Sequence, residues 1–128
     1  MKSNSFPAVI AVVDDDESVR SATASLLRSC GWSVRTYVSA GELLAEIDEE
    51  DACLIVADIQ MPEMDGFALL GKLKELEKEI PIVFITAYAT PDVVDRIANS
   101  GAADYFSKPL DNAKFLSRVA AITGISCG

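Results

Sequence analysis

Carboxylates that directly follow apolar runs are the residues best suited to chemistry in this 128-residue chain. Residues 8–13 form an apolar run that is followed by Asp14 and Asp15, and residues 53–57 form another that is followed by Asp58. If the two runs are neighbouring strands, each pair of these charges at ~4 Å costs about 4 kcal/mol at an effective dielectric near 20. We therefore expect the cluster to be partly protonated or to bind a small hard cation, Mg²⁺ first and Mn²⁺ second.

A hydroxyl and a lysine follow two further predicted strands. Thr86 ends the run at 81–86, and Lys108 follows the run at 104–107. In open parallel sheets the carboxyl ends of the strands meet at one edge, and ligands bind there. A carboxylate, a metal, a hydroxyl and a lysine at such an edge are the groups needed to hold a phosphoryl group on an acid.

Part of the first acidic cluster also has a purely structural interpretation. Asp16 and Glu17 precede a stretch of helical period, where acids cap the helix and interact favourably with its dipole. That interpretation does not explain Asp58, because Asp65 is the expected cap of the helix that follows it. Asp58 is therefore the stronger candidate for chemistry.

The composition excludes several classes of function. Twenty acidic residues against 11 basic ones give a net charge of −9, and no basic cluster of the kind that binds nucleic acid is present. The chain has no histidine and its three cysteines are scattered, which argues against a zinc site, a disulfide framework and catalysis through a histidine base. No signal peptide or apolar run of ~20 residues is visible, so we expect a soluble, cytoplasmic chain without membrane contact.

Short strand-like runs alternate with longer stretches of helical period along the chain. The strands are predicted at 8–13, 33–37, 53–57, 81–86 and 104–107. Three sheet-facing helical stripes are predicted: Val19, Ala22, Leu26 and Cys30; Leu69, Leu73, Leu76 and Ile80; and Phe115, Val119 and Ile122. Five strand-then-helix units predict an α/β fold, with a parallel sheet covered by helices on both faces. We expect one domain at 7–122, a loose N-terminus at 1–6, and a tail or linker at 123–128.

With these elements in order, the chain resembles the receiver domain of bacterial two-component response regulators over essentially residues 7 to 122. The matching segments are VVDDDESVR, ADIQMPEMDG, VFITAYA and GAADYFSKPL. Their positions at strand ends suit that family, as do the 28 residues from Asp58 to Thr86 and the 22 from Thr86 to Lys108. The details are most similar to receivers of the NtrC and FixJ type. The resemblance implies a CheY-like, doubly wound (βα)5 fold with the flavodoxin-like strand order 2-1-3-4-5.

The resemblance also implies a role for each acid. Asp58 would accept a phosphoryl group from the phosphohistidine of a histidine kinase or phosphotransfer protein. Asp15 would bind Mg²⁺ directly and Asp14 partly through water, with Asp58 and the backbone carbonyl of Gln60 completing the protein ligands. The chain would then be a signalling receiver that only assists its own phosphorylation and dephosphorylation, and not an enzyme in the wider sense.

The remaining roles concern the switch. The resemblance implies that Lys108 pairs with the phosphoryl oxygens and that its bond to Pro109 is cis. Thr86 and Tyr105 would be the switch residues, acting on a face formed by the fourth helix, fifth strand and fifth helix. That face would control an output domain or partner, or a phosphorylation-dependent homodimer. The Gln60 side chain is expected to reach the attacking water, and so to set the lifetime of the phosphorylated state, or else to point to solvent.

Two other functions fit parts of the pattern. A haloacid-dehalogenase-type aspartyl phosphatase would use Asp14 as nucleophile and Asp16 as acid and base, with Thr86 and Lys108 in support. That interpretation lacks a second acidic pair after the lysine and leaves Asp58 without a role. A receiver fold that binds a partner without being phosphorylated is the other alternative, although such variants usually lose one of the site residues.

Overall fold

A parallel five-stranded sheet organises the part of the chain that the computed structural model describes, residues 9–47 and 52–125. Its strands are β1 (Val9–Val13), β2 (Ser33–Tyr37), β3 (Ala52–Asp58), β4 (Ile82–Thr86) and β5 (Asp104–Ser107). The helices are α1 (Glu17–Ser29), α2 (Ala40–Glu46), α3 (Gly66–Glu75), α4 (Pro91–Ala98) and α5 (Asn112–Thr123). The strand order is β2-β1-β3-β4-β5, which confirms the predicted fold class and order. The predicted loose segment at 1–6, the first residue predicted for β1 and the last three of the predicted tail lie outside the described residues.

The sheet is buried on both faces, as its almost uninterrupted apolar central strands require. One face packs against α2, α3 and α4 through residues such as Leu43, Leu69 and Ile97. The other packs against α1 and α5 through Leu27 and Phe115. Burial on both sides holds the central strands β1, β3 and β4 firmly in place, and with them the side chains at their carboxyl ends.

The register of the strands brings the predicted site residues to one edge. Val13 lies opposite Ala57 on the neighbouring strand, so that Asp14 and Asp58 emerge side by side. Asp58 lies opposite Ile85, which puts Thr86 one residue further along β4. Thr86 in turn lies opposite Ser107, and Lys108 is the next residue.

Local capping chemistry starts each helix, and Asp16 and Asp65 are caps as expected. A side-chain oxygen accepts a hydrogen bond from a first-turn backbone N–H at each helix start, and the capping residues are Asp16, Ser39, Asp65, Thr90 and Asp111. Gly31 and Gly101 follow helix ends with φ of 100° and 92°, a left-handed conformation that favours glycine. Each helix is thus fixed in length by a few polar contacts in the loops.

The predicted apolar stripe of α1 is wrong in its orientation. The sequence period placed Val19, Ala22, Leu26 and Cys30 against the sheet; Cys30 is buried as expected, but Ala22 is exposed and the other two are only half-buried. Thr23, Ala24 and Leu27 are buried in their place. Both sets recur at helical spacing, so the sequence defines the period of the helix but not which of its faces meets the sheet.

The predicted stripe of α3 is also too long. Leu69 and Leu73 are buried as expected, but the helix ends at Glu75 and Leu76 is 50% exposed. Glu77 takes a left-handed φ of 57°, and the Lys78 N–H donates to the Leu73 carbonyl at 3.0 Å. This is a Schellman ending, in which backbone hydrogen bonds close the helix although a non-glycine residue occupies the left-handed position.

Cys53 in β3 is a free, half-buried thiol.

Gly66 yields a stability prediction because α3 begins directly against the end of β3. A Cβ at Gly66 would lie 2.8 Å from the Phe84 ring and 3.0 Å from the Asp58 carbonyl oxygen. Gly66→Ala should therefore lower the free energy of unfolding by about 1–3 kcal/mol through overpacking. Gly71→Ala, in the same helix but facing open space, should raise it by about 0.5–1 kcal/mol. Urea unfolding of both variants measures this, and equal effects would contradict the close approach at Gly66.

Candidate functional site

Three carboxylates meet at the carboxyl edge of the sheet. Asp14 and Asp58 are buried, at 3% and 6% exposure, while Asp15 is exposed. One carboxylate oxygen from each lies within 4.8 Å of the others, a group that could hold a metal ion among the described residues. An all-oxygen donor set with one side open to solvent fits Mg²⁺, or Mn²⁺ as second choice, and suits softer metals poorly.

Lys108 partly neutralises this cluster. Its Nζ lies 3.1 Å from Asp58 Oδ2 and 3.5 Å from Asp14 Oδ2. The peptide bond between Lys108 and Pro109 is cis, as expected, and the Lys108 N–H donates to the Thr86 carbonyl at 2.9 Å. The lysine is thus tied by its backbone to the end of β4 while its side chain reaches both buried acids.

Burial and like charge act together on the titration of the site. Burial raises the pKa of Asp14, and the charge of Asp58 raises it further, against the opposing effects of the Asp16 N–H and Lys108. Burial lowers the pKa of Lys108, but its hydrogen bond to Asp58 and the charges of Asp14 and Asp58 outweigh this, so that its pKa is raised overall. The raised pKa of Asp14 and the raised pKa of Lys108 both show that the site favours additional positive charge.

The side chain of Gln60 makes a contact that the sequence did not predict. Its Oε1 accepts a hydrogen bond from the Thr86 hydroxyl at 3.0 Å, and its backbone N–H donates to Asp58 Oδ1 at 3.1 Å. The Thr86 hydroxyl also accepts from the Tyr88 N–H at 3.0 Å. Gln60 as a whole is nevertheless exposed, so it makes this contact from the solvent side of the site. The sequence offered one signal for this contact. Gln60 lies just beyond the end of β3, and Thr86 lies at the end of the adjacent strand β4.

Tyr105 lies on the same side of the sheet as Thr86. It is opposite Phe84 in the β4–β5 register, two residues before the position opposite Thr86. The ring is half-buried and packs against the α2–α3–α4 side of the core. The two predicted switch residues are therefore diagonal neighbours on adjacent strands.

The loop after β1 connects the acidic cluster to α1. Asp14 Oδ1 accepts from the Asp16 N–H at 2.9 Å, and its carbonyl accepts from the Arg20 guanidinium at 2.8 Å. Asp16 Oδ1 accepts from the N–H groups of Ser18 and Val19, so its carboxylate caps the helix as expected. Engaged in this way, Asp16 is a poor candidate for the acid and base of a phosphatase.

A groove of about 600 Å³ lies beside the site, between α1 and the loop that leads into α5. Val19, Ala22 and Leu26 form one wall, which explains why this apolar stripe is not buried in the core. Pro109 and Lys108 contribute to the opposite wall. The groove therefore extends from an apolar helix face to the lysine that contacts Asp58.

Comparison with known proteins identifies the family. The family model described as "Response regulator receiver domain" matches residues 10–120. The chain belongs to this family. It is a receiver domain, a signalling domain of response regulators.

Individual relatives agree with this assignment. Response regulator protein TodT of Pseudomonas putida is 35% identical over 114 residues, which cover 89% of this chain and 50% of TodT. The structure of response regulator StyR is 34% identical with a TM-score of 0.83, covering 92% of this receiver and 60% of that chain. A CheY-like receiver domain from Methanospirillum hungatei is 31% identical with a TM-score of 0.81, covering 91% and 93% of the two chains.

The length of the chain relative to its relatives and the character of its helices complete the comparison. The chain spans about half the length of the curated relative TodT. Among the described helices, none combines the length and the apolar character that a bilayer crossing requires. The predicted domain limits at 7 and 122 stay predictions.

The raised pKa of Asp14 leads to a prediction about metal-free stability. A folded-state pKa above the ordinary value means that the stability this carboxyl contributes at low pH is lost as pH rises from about 3.8 through the folded pKa. Asp14→Asn should therefore unfold at a higher temperature than the wild type in metal-free neutral buffer. It should gain little from Mg²⁺, whereas Mg²⁺ at 100 times its Kd should stabilise the wild type by about 2.7 kcal/mol.

Asp16→Asn is the matched control for this experiment. It removes a carboxylate two residues away, yet asparagine caps a helix about as well as aspartate. Its thermal unfolding should respond to Mg²⁺ as the wild type does. An equal loss of the response in both variants would contradict the assignment of Asp14 to the cation cluster.

Proposed function

We propose that this receiver accepts a phosphoryl group on Asp58 from the phosphohistidine of a histidine kinase or phosphotransfer protein. The observation that carries the proposal is the position of Asp58. Its buried carboxylate lies within 4.8 Å of those of Asp14 and Asp15, and 3.1 Å from the Lys108 ammonium. A phosphoryl group on Asp58 would have the cation-binding acids, Lys108 and the end of the neighbouring strand at Thr86 around it.

The other two acids are less suited to be the nucleophile. Asp14 is held much as Asp58 is, by the N–H two residues on and by Lys108, but burial raises its pKa and so disfavours its ionised, nucleophilic form. Asp15 is exposed and lies in the loop beyond the strand, where a phosphoryl group would be open to water. Asp58 belongs to β3 itself, between β1 and β4, and its carboxylate accepts hydrogen bonds from both the Gln60 N–H and Lys108.

The transfer itself requires little from the protein besides position and charge. A carboxylate oxygen of Asp58 attacks phosphorus, and the bond from phosphorus to the donor's imidazole nitrogen breaks. The nitrogen keeps the electron pair, and because the other ring nitrogen of the donor carries a proton in the reacting phosphoimidazolium form, the donor leaves as a neutral imidazole. Lys108 moves its hydrogen bond from the carboxylate to the phosphoryl oxygens, where negative charge accumulates.

Asp14, Asp15, Asp58 and the backbone carbonyl of Gln60 would hold Mg²⁺, with Mn²⁺ as an alternative. When bound, the ion supplies positive charge that offsets the repulsion between the acids and the incoming phosphoryl oxygens. The observations that support this are the close carboxylates and the raised pKa of Asp14, because both conditions favour a cation.

The signal would leave through Thr86 and Tyr105. Phosphorylation replaces one negative charge by about −1.5 to −2 and adds three acceptor oxygens. The Thr86 hydroxyl would turn towards these oxygens, and the Tyr105 ring, which packs on the same side of the sheet, would move into the vacated space. The face of α4, β5 and α5 would repack as a result and control an output domain, a partner or a homodimer. Since TodT is about twice as long as the matched region, an output domain in the same chain is one form this could take.

The groove beside α1 is the proposed approach of the phosphodonor. Asp58 is buried, so the donor histidine has to reach it from the carboxyl edge of the sheet. The apolar wall formed by Val19, Ala22 and Leu26 suits a helix of the donor, and Lys108 at the groove's other wall contacts Asp58 directly.

A labelling experiment tests the nucleophile. Incubation with Mg²⁺ and acetyl phosphate should add one phosphoryl group that is sensitive to hydroxylamine, as acyl phosphates are. Asp58→Asn should abolish the labelling, Lys108→Ala should slow it by about 100-fold because a stabilising donor is lost, and Asp16→Asn should leave it intact. Intact-mass spectrometry follows all four proteins.

Each competing function gives a different result in that experiment. Labelling that persists in Asp58→Asn but disappears in Asp14→Asn would favour the aspartyl phosphatase. A wild-type chain that stays unlabelled with Mg²⁺ and either acetyl phosphate or a phosphorylated kinase would favour a receiver that acts only by binding.

The groove is tested by comparing two donors. Ala22→Arg places a charge on the apolar wall, while Ser25→Arg places the same charge on another exposed position of α1. With a phosphorylated histidine kinase domain that transfers to the wild type, Ala22→Arg should slow transfer by at least about 10-fold, the equivalent of one lost apolar contact site. Ser25→Arg should not, and acetyl phosphate should label both variants at the wild-type rate. Slower labelling of Ala22→Arg by acetyl phosphate would indicate damage to the site and not to docking.

A further inference from the structure

The hydroxyl of Thr86 already donates its only proton in the structure. A threonine hydroxyl has a single hydrogen to donate, and here it goes to Gln60 Oε1 at 3.0 Å. The Tyr88 N–H occupies one of the oxygen's acceptor positions at 3.0 Å. Thr86 itself is fully buried, so water does not compete freely for the group.

Gln60 is linked to both halves of the site. Its backbone N–H donates to Asp58 Oδ1, while its side chain accepts from Thr86. Because Gln60 is only two positions after Asp58 and its N–H is bonded to that carboxylate, a new group on Asp58 acts on the backbone of the residue that holds Thr86. Gln60 also reaches Thr86 from an exposed position, so its side chain can move into solvent when the bond breaks.

We propose that Gln60 restrains Thr86 in the unphosphorylated protein, because its side chain occupies the one proton that the phosphoryl group needs. The inference rests on the proposed phosphorylation of Asp58 and adds a positioning residue to it. Gln60 would act through Thr86 and would not contact the phosphoryl oxygens with its amide. It therefore opposes activation by the amount that the Gln60–Thr86 bond stabilises the resting state.

The direction and size of the effect follow from the chemistry of the two acceptors. A hydrogen bond to a neutral amide oxygen that is exposed to water changes an equilibrium constant by roughly 2- to 10-fold. The bond from Thr86 to Gln60 should favour the resting state by this factor. A charged phosphoryl oxygen forms a stronger hydrogen bond than a neutral amide does. The phosphoryl group thus wins the hydroxyl, but its apparent affinity is lowered by the bond that it has to displace.

Release of Thr86 also frees the segment that leads to α4. When the hydroxyl turns away, the Tyr88 N–H loses its acceptor, and Tyr88 is 65% exposed and able to turn to water. Two residues later Thr90 caps the N-terminus of α4. The restraint is therefore positioned to hold the start of α4 together with the hydroxyl.

Equilibrium binding of a phosphoryl mimic tests this without any contribution from hydrolysis. The probe is beryllofluoride at saturating Mg²⁺, titrated by calorimetry into the wild type, Gln60→Leu, Gln60→Asn, Thr86→Val and the double variant Gln60→Leu/Thr86→Val. All of them keep the backbone carbonyl at position 60, and a titration with Mg²⁺ alone establishes saturation for each. Gln60→Leu removes the acceptor, and Gln60→Asn keeps the amide on a side chain one methylene shorter.

Gln60→Leu and Gln60→Asn should each bind the mimic about 2- to 10-fold more tightly than the wild type. In the Thr86→Val background the Leu substitution should have no effect, because the proton that Gln60 occupies is gone. The ¹³C shift of the Thr86 methyl group in the mimic-free Gln60→Leu protein should move towards its value in the mimic-bound wild type.

Two results would overturn the inference while leaving the proposed function intact: wild-type or weaker affinity in Gln60→Leu, or the same gain with and without the Thr86 hydroxyl. Failure of the wild type to bind the mimic at all is a distinct result. It would overturn the proposed function, and the restraint with it.

Discussion

Repulsion between Asp14 and Asp58 is the constraint on which the rest of the site depends. Two buried carboxylates a few ångströms apart raise each other's free energy by about 4 kcal/mol at an effective dielectric near 20. The sheet holds them there because β1 and β3 are buried on both faces and cannot move apart without exposing the core. Lys108 offsets part of the repulsion in the resting protein. The site is therefore prepared to gain free energy from any additional positive charge.

Because the sheet holds the two acids close together, the other groups of the site already lie next to them. Lys108 already reaches both acids, and Gln60 and Thr86 already share a hydrogen bond beside them. Lys108 would need to move only the end of its side chain to meet the proposed phosphoryl group, because its Nζ already lies 3.1 Å from the Asp58 carboxylate. The stability of the buried core thus permits the repulsion between Asp14 and Asp58 at the carboxyl edge of the sheet. Relief of that repulsion favours the binding of a cation.

Most of the fold could be predicted from the sequence, because its signals are local. Apolar runs of five residues, caps such as Asp65 and the acids at strand ends each depend on a few neighbours in the chain. Most of the failures concern contacts between distant residues, as the period of α1 could not show that Ala22 would stay exposed. The end of α3 at Glu75 was missed for a local reason, because the left-handed position after it is occupied by Glu77 and not by a glycine. The contact from Gln60 to Thr86 depends on side-chain reach across two strands, which spacing alone does not encode.

The exposed apolar stripe of α1 has a consequence for how such a chain can evolve. Ala22 contributes little to the core, and Val19 and Leu26 only part of their surface, so substitutions there are cheap in stability. If the groove they line receives the phosphodonor, recognition can drift and diverge between duplicated copies while the acids, the lysine and the threonine remain untouched. Parallel signalling channels in one cell could then become insulated from one another through a few surface substitutions on a shared chemical apparatus.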